Sequence, residues 1–276
     1  MVDFKIGIVL YNPDSNSVNR IINLANQGFQ FCLFDNSSKT NNILIEVNNV
    51  EYFTFNDNLG LAFSIDYLCR HCINSNFSKL LFFDQDTIFT RDTLDFIEDV
   101  CKEIIALDSM FFNDVVSINF RESGTKHVKL NTFDYFDVGS FSFSSNYFVI
   151  NSGSLYFLDK YFYFKWFDKN YFVDGVDYSF SLNVLINNFK NISIINTPGL
   201  NHTDFQGDST ISFFGRKIIS RIYPLRRNFD FFYSHSKLLI KSLRVNSFFP
   251  LFFLVRAIIG YFFTQFLFRF RYMFFN

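Results

Sequence analysis

Net charge is what this chain has least of: 25 Lys and Arg are set against 26 Asp and Glu over 276 residues. A chain that holds nucleic acid shows a basic surplus, so there is no global nucleic-acid signal and no nucleic-acid partner is expected. Cysteine is scarce as well. Cys32, Cys69, Cys72 and Cys101 do not make a disulfide scaffold at this length. The first residues, MVDFKIGIVLYNPD, carry an acid at position 3 and only a short apolar run. They lack the n-region and h-region of a signal peptide, so a reducing cytoplasm is the expected compartment. Also missing are the P-loop, G-x-G-x-x-G and G-x-S-x-G, the main signatures of ATPases, dinucleotide enzymes and serine hydrolases. There is no internal repeat and no long linker.

Apolar and aromatic residues are abundant. Hydrophobic residues make up 49% and aromatics 21%, with 44 Phe and 14 Tyr. That composition sustains a large core and excludes disorder as the main theme. Phe occupies many core-like positions where Leu is usual. The near-zero charge hides an asymmetry. From Arg216 onward there are eleven Lys and Arg against Asp230 alone. An acidic body is thus joined to a basic, Phe-rich tail, a combination that points to an anionic surface, with a membrane leaflet as first candidate.

Residues 5–11 (KIGIVLY) read as a buried strand ending in the turn Asn12-Pro13-Asp14. Residues 17–27 read as a helix stopped by Gly28. Strands follow at 29–34, 50–55 and 79–83, and helices at 61–74 and 90–107. This alternation predicts an α/β fold with a mostly parallel central sheet. Ligands of such sheets lie beyond the carboxyl ends of the strands. Polar clusters occupy those ends here: Asn12/Asp14, Asp35–Ser38, Asn56–Asn58 and Asp84–Asp86. Further strands are expected near 115–120, 145–150 and 190–196, with Ser152-Gly153-Ser154 as a tight turn and 172–188 as a loop feeding a helix. The division expected is one domain over 1–230 and membrane-associating helices over 231–276.

The tail holds two uncharged stretches, 245–255 and 257–268, split by Arg256. A span would place Arg256 at mid-membrane, which is costly. An interfacial helix whose arginines reach lipid phosphates is the preferred reading, ahead of helices packed on protein or a transmembrane segment.

Four constellations bear on chemistry. Asp84-Gln85-Asp86 sets two carboxylates at i and i+2 after a buried strand, a pairing that suits Mg²⁺ or Mn²⁺ shared with substrate phosphates; the plainer reading is a helix-capping loop. Asp35-Asn36-Ser37-Ser38 offers a carboxylate to a base or ribose, or makes an Asx-turn. Phe172-Val173-Asp174-Gly175-Val176-Asp177 leads into an apolar helix; one carboxylate there can take a proton from an acceptor hydroxyl, the plainer reading is that Asp174 caps the helix, and one of the two aspartates can cap while the other works. His202 follows a Pro-Gly turn, and its imidazole either completes a metal shell or is a polar loop histidine. Cys69-Arg70-His71-Cys72 resembles half a zinc site, but no second C-x-x-C exists and a structural role is expected.

In order, these stretches resemble an inverting family 2 glycosyltransferase of the GT-A fold, most nearly the bacterial rhamnosyltransferase-like enzymes of O-antigen and capsule assembly. Asp35-Asn36-Ser37-Ser38 resembles V-D-N-x-S, and Asn58-Leu59-Gly60-Leu61-Ala62 resembles N-x-G-x-A. Phe83-Asp84-Gln85-Asp86-Thr87 resembles F-D-Q-D-S/T, the subgroup's form of D-x-D. Ser152-Gly153-Ser154-Leu155 resembles S-G-S-L, and 172–177 resembles F-I-D-x-V-D. His202 with Gly207-Asp208 resembles H-x-x-G-D with a longer gap. Arg221, Tyr223 and Arg227-Asn228 resemble R-x-Y-Y-x-x-R-N.

The resemblance implies a nucleoside-diphosphate sugar donor (dTDP- or UDP-linked) contacted by Tyr11, Asp35, Asn58, Asp84 and Asp86. It implies a divalent metal, Mn²⁺ or Mg²⁺, on Asp84, Asp86 and His202, and Asp177 as general base. Asp174, Arg221 and Arg227 are implied near diphosphate or acceptor. The acceptor would be a lipid-linked oligosaccharide at the cytoplasmic face of the bacterial inner membrane. The chain departs from the family at Ser179, where Glu is frequent, at Asn183, where Arg is frequent, and at Asp66, where Asn is usual. Two other readings compete: a sugar nucleotidyltransferase, which usually has a glycine-rich basic loop absent here, and an inactive scaffold that kept the fold.

Overall fold

The computed structural model of the chain describes residues 4–106, 112–122, 131–202, 209–213, 216–220 and 225–275. It divides into two compact units, Met1–His202 and Thr203–Asn276.

The first unit alternates strands and helices. β1 (Phe4–Leu10) leads to α1 (Ser15–Asn26), and β2 (Phe31–Asp35) to the short α2 (Asn42–Ile45). β3 (Val50–Thr54) leads to α3 (Leu61–Asn74), and β4 (Lys79–Asp84) through β5 (Thr87–Ile88) to α4 (Arg91–Ala106). Then come β6 (Val115–Glu122), β7 (Thr132–Val138), β8 (Phe141–Asn146), β9 (Ser154–Phe157), α5 (Val176–Ile186), β10 (Lys190–Thr197) and β11 (Asn201–His202). Nine of these strands form one sheet in the order β3-β2-β1-β4-β9-β6-β10-β8-β7.

The β3-β2-β1-β4 half is parallel throughout, as the alternation predicts. The other half is mixed: β9 runs against both β4 and β6, β10 pairs parallel with β6, and β8 and β7 close the edge as an antiparallel hairpin. The strand expected near 145–150 lies earlier, at Phe141–Asn146, paired with β7.

β1, β2 and β4 are covered on both faces, which is why they read as unbroken apolar runs, whereas the edge strand β3 is only half-buried. Ile6, Ile8, Phe31, Leu33, Leu81 and Phe83 are buried in the core, together with Leu94 and Ile97 of α4. α1 turns Val18, Ile21, Leu24 and Ala25 inward at helical spacing, and Asp14 caps it by accepting from the Ser17 amide at 2.7 Å. Phe takes the filling role that Leu usually plays. Phe83 stacks on Phe89 with centroids 4.1 Å apart, and Phe167 stacks on Phe180 at 5.2 Å. All four cysteines are buried free thiols; Cys69 and Cys72 face the interior of α3, and the Sγ atoms of Cys72 and Cys32 are 3.7 Å apart.

The second unit contains the hairpin β12 (Ser209–Phe213) and β13 (Arg216–Ser220), then α6 (Leu225–Ser242) and α7 (Phe249–Phe275). From Phe249 onward the uncharged stretches of the tail therefore lie in one continuous helix through Arg256. Tyr261 of α7 stacks on Phe231 of α6 at 3.8 Å and donates to Asn228 at 2.5 Å. The segment Phe249–Leu267 is long and apolar enough to cross a membrane by length and composition.

Candidate active site

The register across the parallel strands brings the acidic residues to one edge. Leu10 pairs with Asp35, and its neighbour Val9 pairs with Asp84. The carboxyl ends of β2, β1 and β4 therefore stop nearly level, with Asp35 and Asp84 about 10 Å apart across two strand spacings. β9 delivers the Ser152-Gly153 turn to the same edge. Ser152 Oγ accepts from the Asp84 amide at 3.0 Å and lies 2.6 Å from Thr87 Oγ1, while the Gly153 amide donates to the Phe82 carbonyl at 2.8 Å. Asn119 Nδ2 fastens the turn from β6 through the carbonyls of Ile150 and Ser152, each at 3.0 Å.

Asp177, in the first turn of α5, reaches this turn from the other side: its Oδ1 accepts from the Asn151 amide at 3.1 Å. Burial raises the carboxyl of Asp177 to about 6, against the opposing effect of the Asn151 hydrogen bond. The Asp84 carboxyl is pushed up to about 8, first by burial and then by the charges of Asp177 and Asp86. Three aspartates from two distant segments thus bring negative charge to one edge of the sheet. Asp86 itself is exposed. A groove at the amino ends of β1 and β2, lined by Phe4, Gln30, Phe77 and Arg91, lies at the opposite edge of the sheet from these carboxylates.

The remaining positions divide by what they touch. Asp35 is fully buried; its two oxygens accept from the Ser37 amide (2.8 Å) and from the Tyr52 hydroxyl. Its visible partners are those of an Asx-turn. Tyr11 exposes its ring, 56% accessible, while its amide binds Gln85 Oε1 at 2.7 Å. Asn58 folds its carbonyl onto the Gly60 amide at 3.1 Å. Gly60 has φ +83°, and a Cβ there would meet the Phe172 carbonyl at 2.8 Å. The N-x-G-x-A and F-V-D-G-V-D stretches are therefore in direct contact, joined by the Leu61 amide donating to Phe172 O at 2.7 Å.

One expectation is corrected at α5. Asp174 does not cap it: Gly175 occupies the cap position in the left-handed region, φ +83°, with no side-chain cap. Asp66, the departure in α3, is buried and accepts from the Tyr161 hydroxyl and from Arg70 Nε (3.1 Å), so it anchors the 158–163 segment. His202 lies on β11, whose backbone pairs with Thr87 next to Asp86; its side chain is outside those described. Arg227 is exposed on α6 of the second unit, and Arg221 and the Gly207-Asp208 pair lie outside the described residues.

Two residues at this edge were not singled out from the sequence. Gln85 is held by Tyr11, Ser17 and Arg20, all from the segment after β1. The signal was faint, since neither residue type nor spacing distinguishes Arg20 from any other helix arginine.

Among the described residues, no three His, Cys, Asp or Glu side chains converge tightly enough to form a metal shell by themselves. The pair Asp84 and Asp86 offers hard oxygen donors, and the crowding that holds a proton on Asp84 is what a divalent cation relieves. Two carboxylates completed by phosphate oxygens and water are the usual complement for such an ion.

The mixed nine-stranded sheet flanked by helices is an α/β arrangement of the GT-A type, and that fold is shared with solved structures. Against the crystal structure of S. aureus TarS 1-349 the TM-score is 0.53 at 13% identity, covering 89% of this chain and 67% of that one. Against the crystal structure of S. aureus TarS the TM-score is 0.54 at 13% identity, again covering 89% of this chain but 40% of the other. At this identity the likeness is one of fold. No family model matches the chain, and no curated protein matches it in sequence.

Proposed function

We propose that this chain is a glycosyltransferase of surface-glycan synthesis that moves a sugar, rhamnose or another hexose, from a dTDP- or UDP-linked donor to a lipid-linked glycan, with inversion. The observation that carries the reading is the meeting of Asp84, Asp86 and Asp177 at the carboxyl edge of a GT-A-type sheet. The fold shared with TarS supports it.

Asp177 is the proposed base. With its carboxyl near 6 it is mostly ionised at neutral pH and accepts the proton of an acceptor hydroxyl. That oxygen attacks the anomeric carbon as the bond to the diphosphate oxygen breaks on the opposite face, which inverts the centre. The Asn151 amide keeps Asp177 aimed across the turn at Asp84. Asp84 and Asp86, with His202 joining from β11, are the residues proposed to hold Mn²⁺ or Mg²⁺. When bound, such an ion offsets the charge gathering on the departing nucleoside diphosphate. The exposed ring of Tyr11 is proposed to stack on the donor base, and Asp174 is proposed to contact the diphosphate or the acceptor. Asp35 serves by fixing the end of β2 through its Asx-turn.

The second unit is proposed to sit on the cytoplasmic face of the inner membrane. Phe252, Val255, Ile259, Phe262, Phe263 and Phe266 are exposed along one face of α7, and Lys237, Lys241 and Arg244 precede the helix. An apolar helix face next to basic residues fits an anionic leaflet.

The reading is tested by thermal shift of the full chain with UDP, dTDP or GDP and their sugars, each with Mn²⁺, Mg²⁺ or EDTA. Metal-dependent stabilisation by one nucleotide is expected. Absence of any shift with every pair removes the transferase reading and favours the scaffold.

A further inference from the structure

Gln85, between the two aspartates, is gripped from three directions. Its carbonyl accepts from Arg20 Nη2 at 2.7 Å and from Ser17 Oγ at 3.3 Å. Its side-chain Oε1 accepts from the Tyr11 amide at 2.7 Å. Arg20 and Ser17 are three residues apart on one face of α1. The guanidinium lies over the ring of Phe89, 5.4 Å from its centroid, and Phe89 stacks on Phe83, the residue before Asp84. Burial lowers the pKa of Arg20, opposed by the charges of Asp14 and Asp86. Its Nε is buried with no hydrogen-bond partner among the described residues. A partly desolvated cation with one buried donor unmet is a costly way to fill space beside an apolar core. The grip on Gln85 is the return visible in the structure.

We propose that Arg20 is a positioning residue: by holding the Gln85 carbonyl it sets the spacing between the Asp84 and Asp86 carboxylates. The proposal rests on the transferase reading above. Few soft dihedrals lie between the two aspartates, so a clamp at Gln85 decides where both side chains point. A cation and a diphosphate then meet a pair already in place and need not order it, which raises affinity. Lys can reach the same carbonyl but lacks the planar fork that rests on Phe89.

The test uses the full chain and its Arg20→Leu, Arg20→Lys and Gln85→Leu variants, together with the Arg20→Leu/Gln85→Leu double. Apparent Mn²⁺ affinity is read by titration calorimetry at saturating UDP or dTDP, well below each melting midpoint, so only folded protein reports. Arg20→Leu is expected to weaken Mn²⁺ binding about tenfold and Arg20→Lys to restore most of it. Gln85→Leu is expected to lose a similar factor, and the double little more than either single, because both struts hold one residue. Loss of a positive charge beside Asp86 would by itself tighten Mn²⁺ binding, so the direction separates position from charge. Unchanged or tighter binding in Arg20→Leu overturns the proposal, as do losses that multiply in the double. If the wild-type chain binds neither nucleotide with Mn²⁺, the transferase reading fails and takes this proposal with it.

Discussion

The Leu61 amide donates a 2.7 Å hydrogen bond to the carbonyl of Phe172, so the start of α3 is tied to the loop that delivers Asp177. Gly60 makes this approach possible, with φ +83° and the Phe172 carbonyl 2.8 Å from where a Cβ would sit. Gly60→Ala forces both a left-handed alanine and a backbone clash. Its expected cost is about 2–4 kcal/mol, read as a drop in the midpoint of chemical denaturation.

Asp86→Asn keeps the size of the side chain and removes a charge from the proposed cation pair. It is expected to erase the EDTA-sensitive part of nucleotide stabilisation in a thermal-shift series. Equal stabilisation with and without chelator in wild type and variant would take Asp86 out of the metal site.

For Asp177→Asn, donor binding is expected to persist while turnover falls by about 10²–10⁴, the range for loss of a general base. Calorimetry with the nucleotide and a product assay separate the two. Retained turnover would move the base elsewhere, with Asp174 next in line.

Asp84 and Asp177 both have carboxyls raised above the usual range, to about 8 and about 6. In the unfolded chain both ionise at lower pH, so their contribution to stability is fully present below that ordinary range. It is lost as pH rises through about 6 and then 8 when no divalent cation is present. Thermal scans in EDTA between pH 5 and 9, taken as about one unit beyond the two values, should show this decline. Asp84→Asn is expected to flatten it and to raise the melting midpoint at the alkaline end. Added Mn²⁺ should do the same for the wild type and little for the variant.

Ile259→Glu together with Phe263→Glu puts charge on the exposed apolar face of α7. Co-sedimentation with vesicles containing an anionic lipid is expected to fall at least tenfold, as burying a carboxylate in hydrocarbon is unfavourable. Undiminished sedimentation would remove α7 from the membrane argument.

The parallel half of the sheet was legible because β1, β2 and β4 are buried on both faces and its strands alternate with helices that have clear stops, such as Gly28 after α1. The carboxylates at its edge were legible for the same reason, since a strand end announces where its last residue points. The β7–β8 hairpin was not legible. β8 is serine-rich, and its buried Asn146 reaches a distant partner, with Nδ2 donating to Ser193 at 2.6 Å as well as to the Ser144 carbonyl at 2.8 Å. Arg20 escaped notice because its meaning lies in a carbonyl from a different strand end. The role expected of Asp174 at the helix start went to Gly175, where a left-handed turn outweighed the capping preference of an acid.

The reversed direction of β9 has a mechanical consequence. The strand is zipped to β4, which carries Asp84, and to β6. The turn that introduces it holds both the Asp84 amide and, through Asn151, the Asp177 carboxylate. Under the proposed function, the residue at the cation pair and the proposed base are therefore both tied to one strand. Unzipping β9 by heat or denaturant would disable both in a single cooperative event.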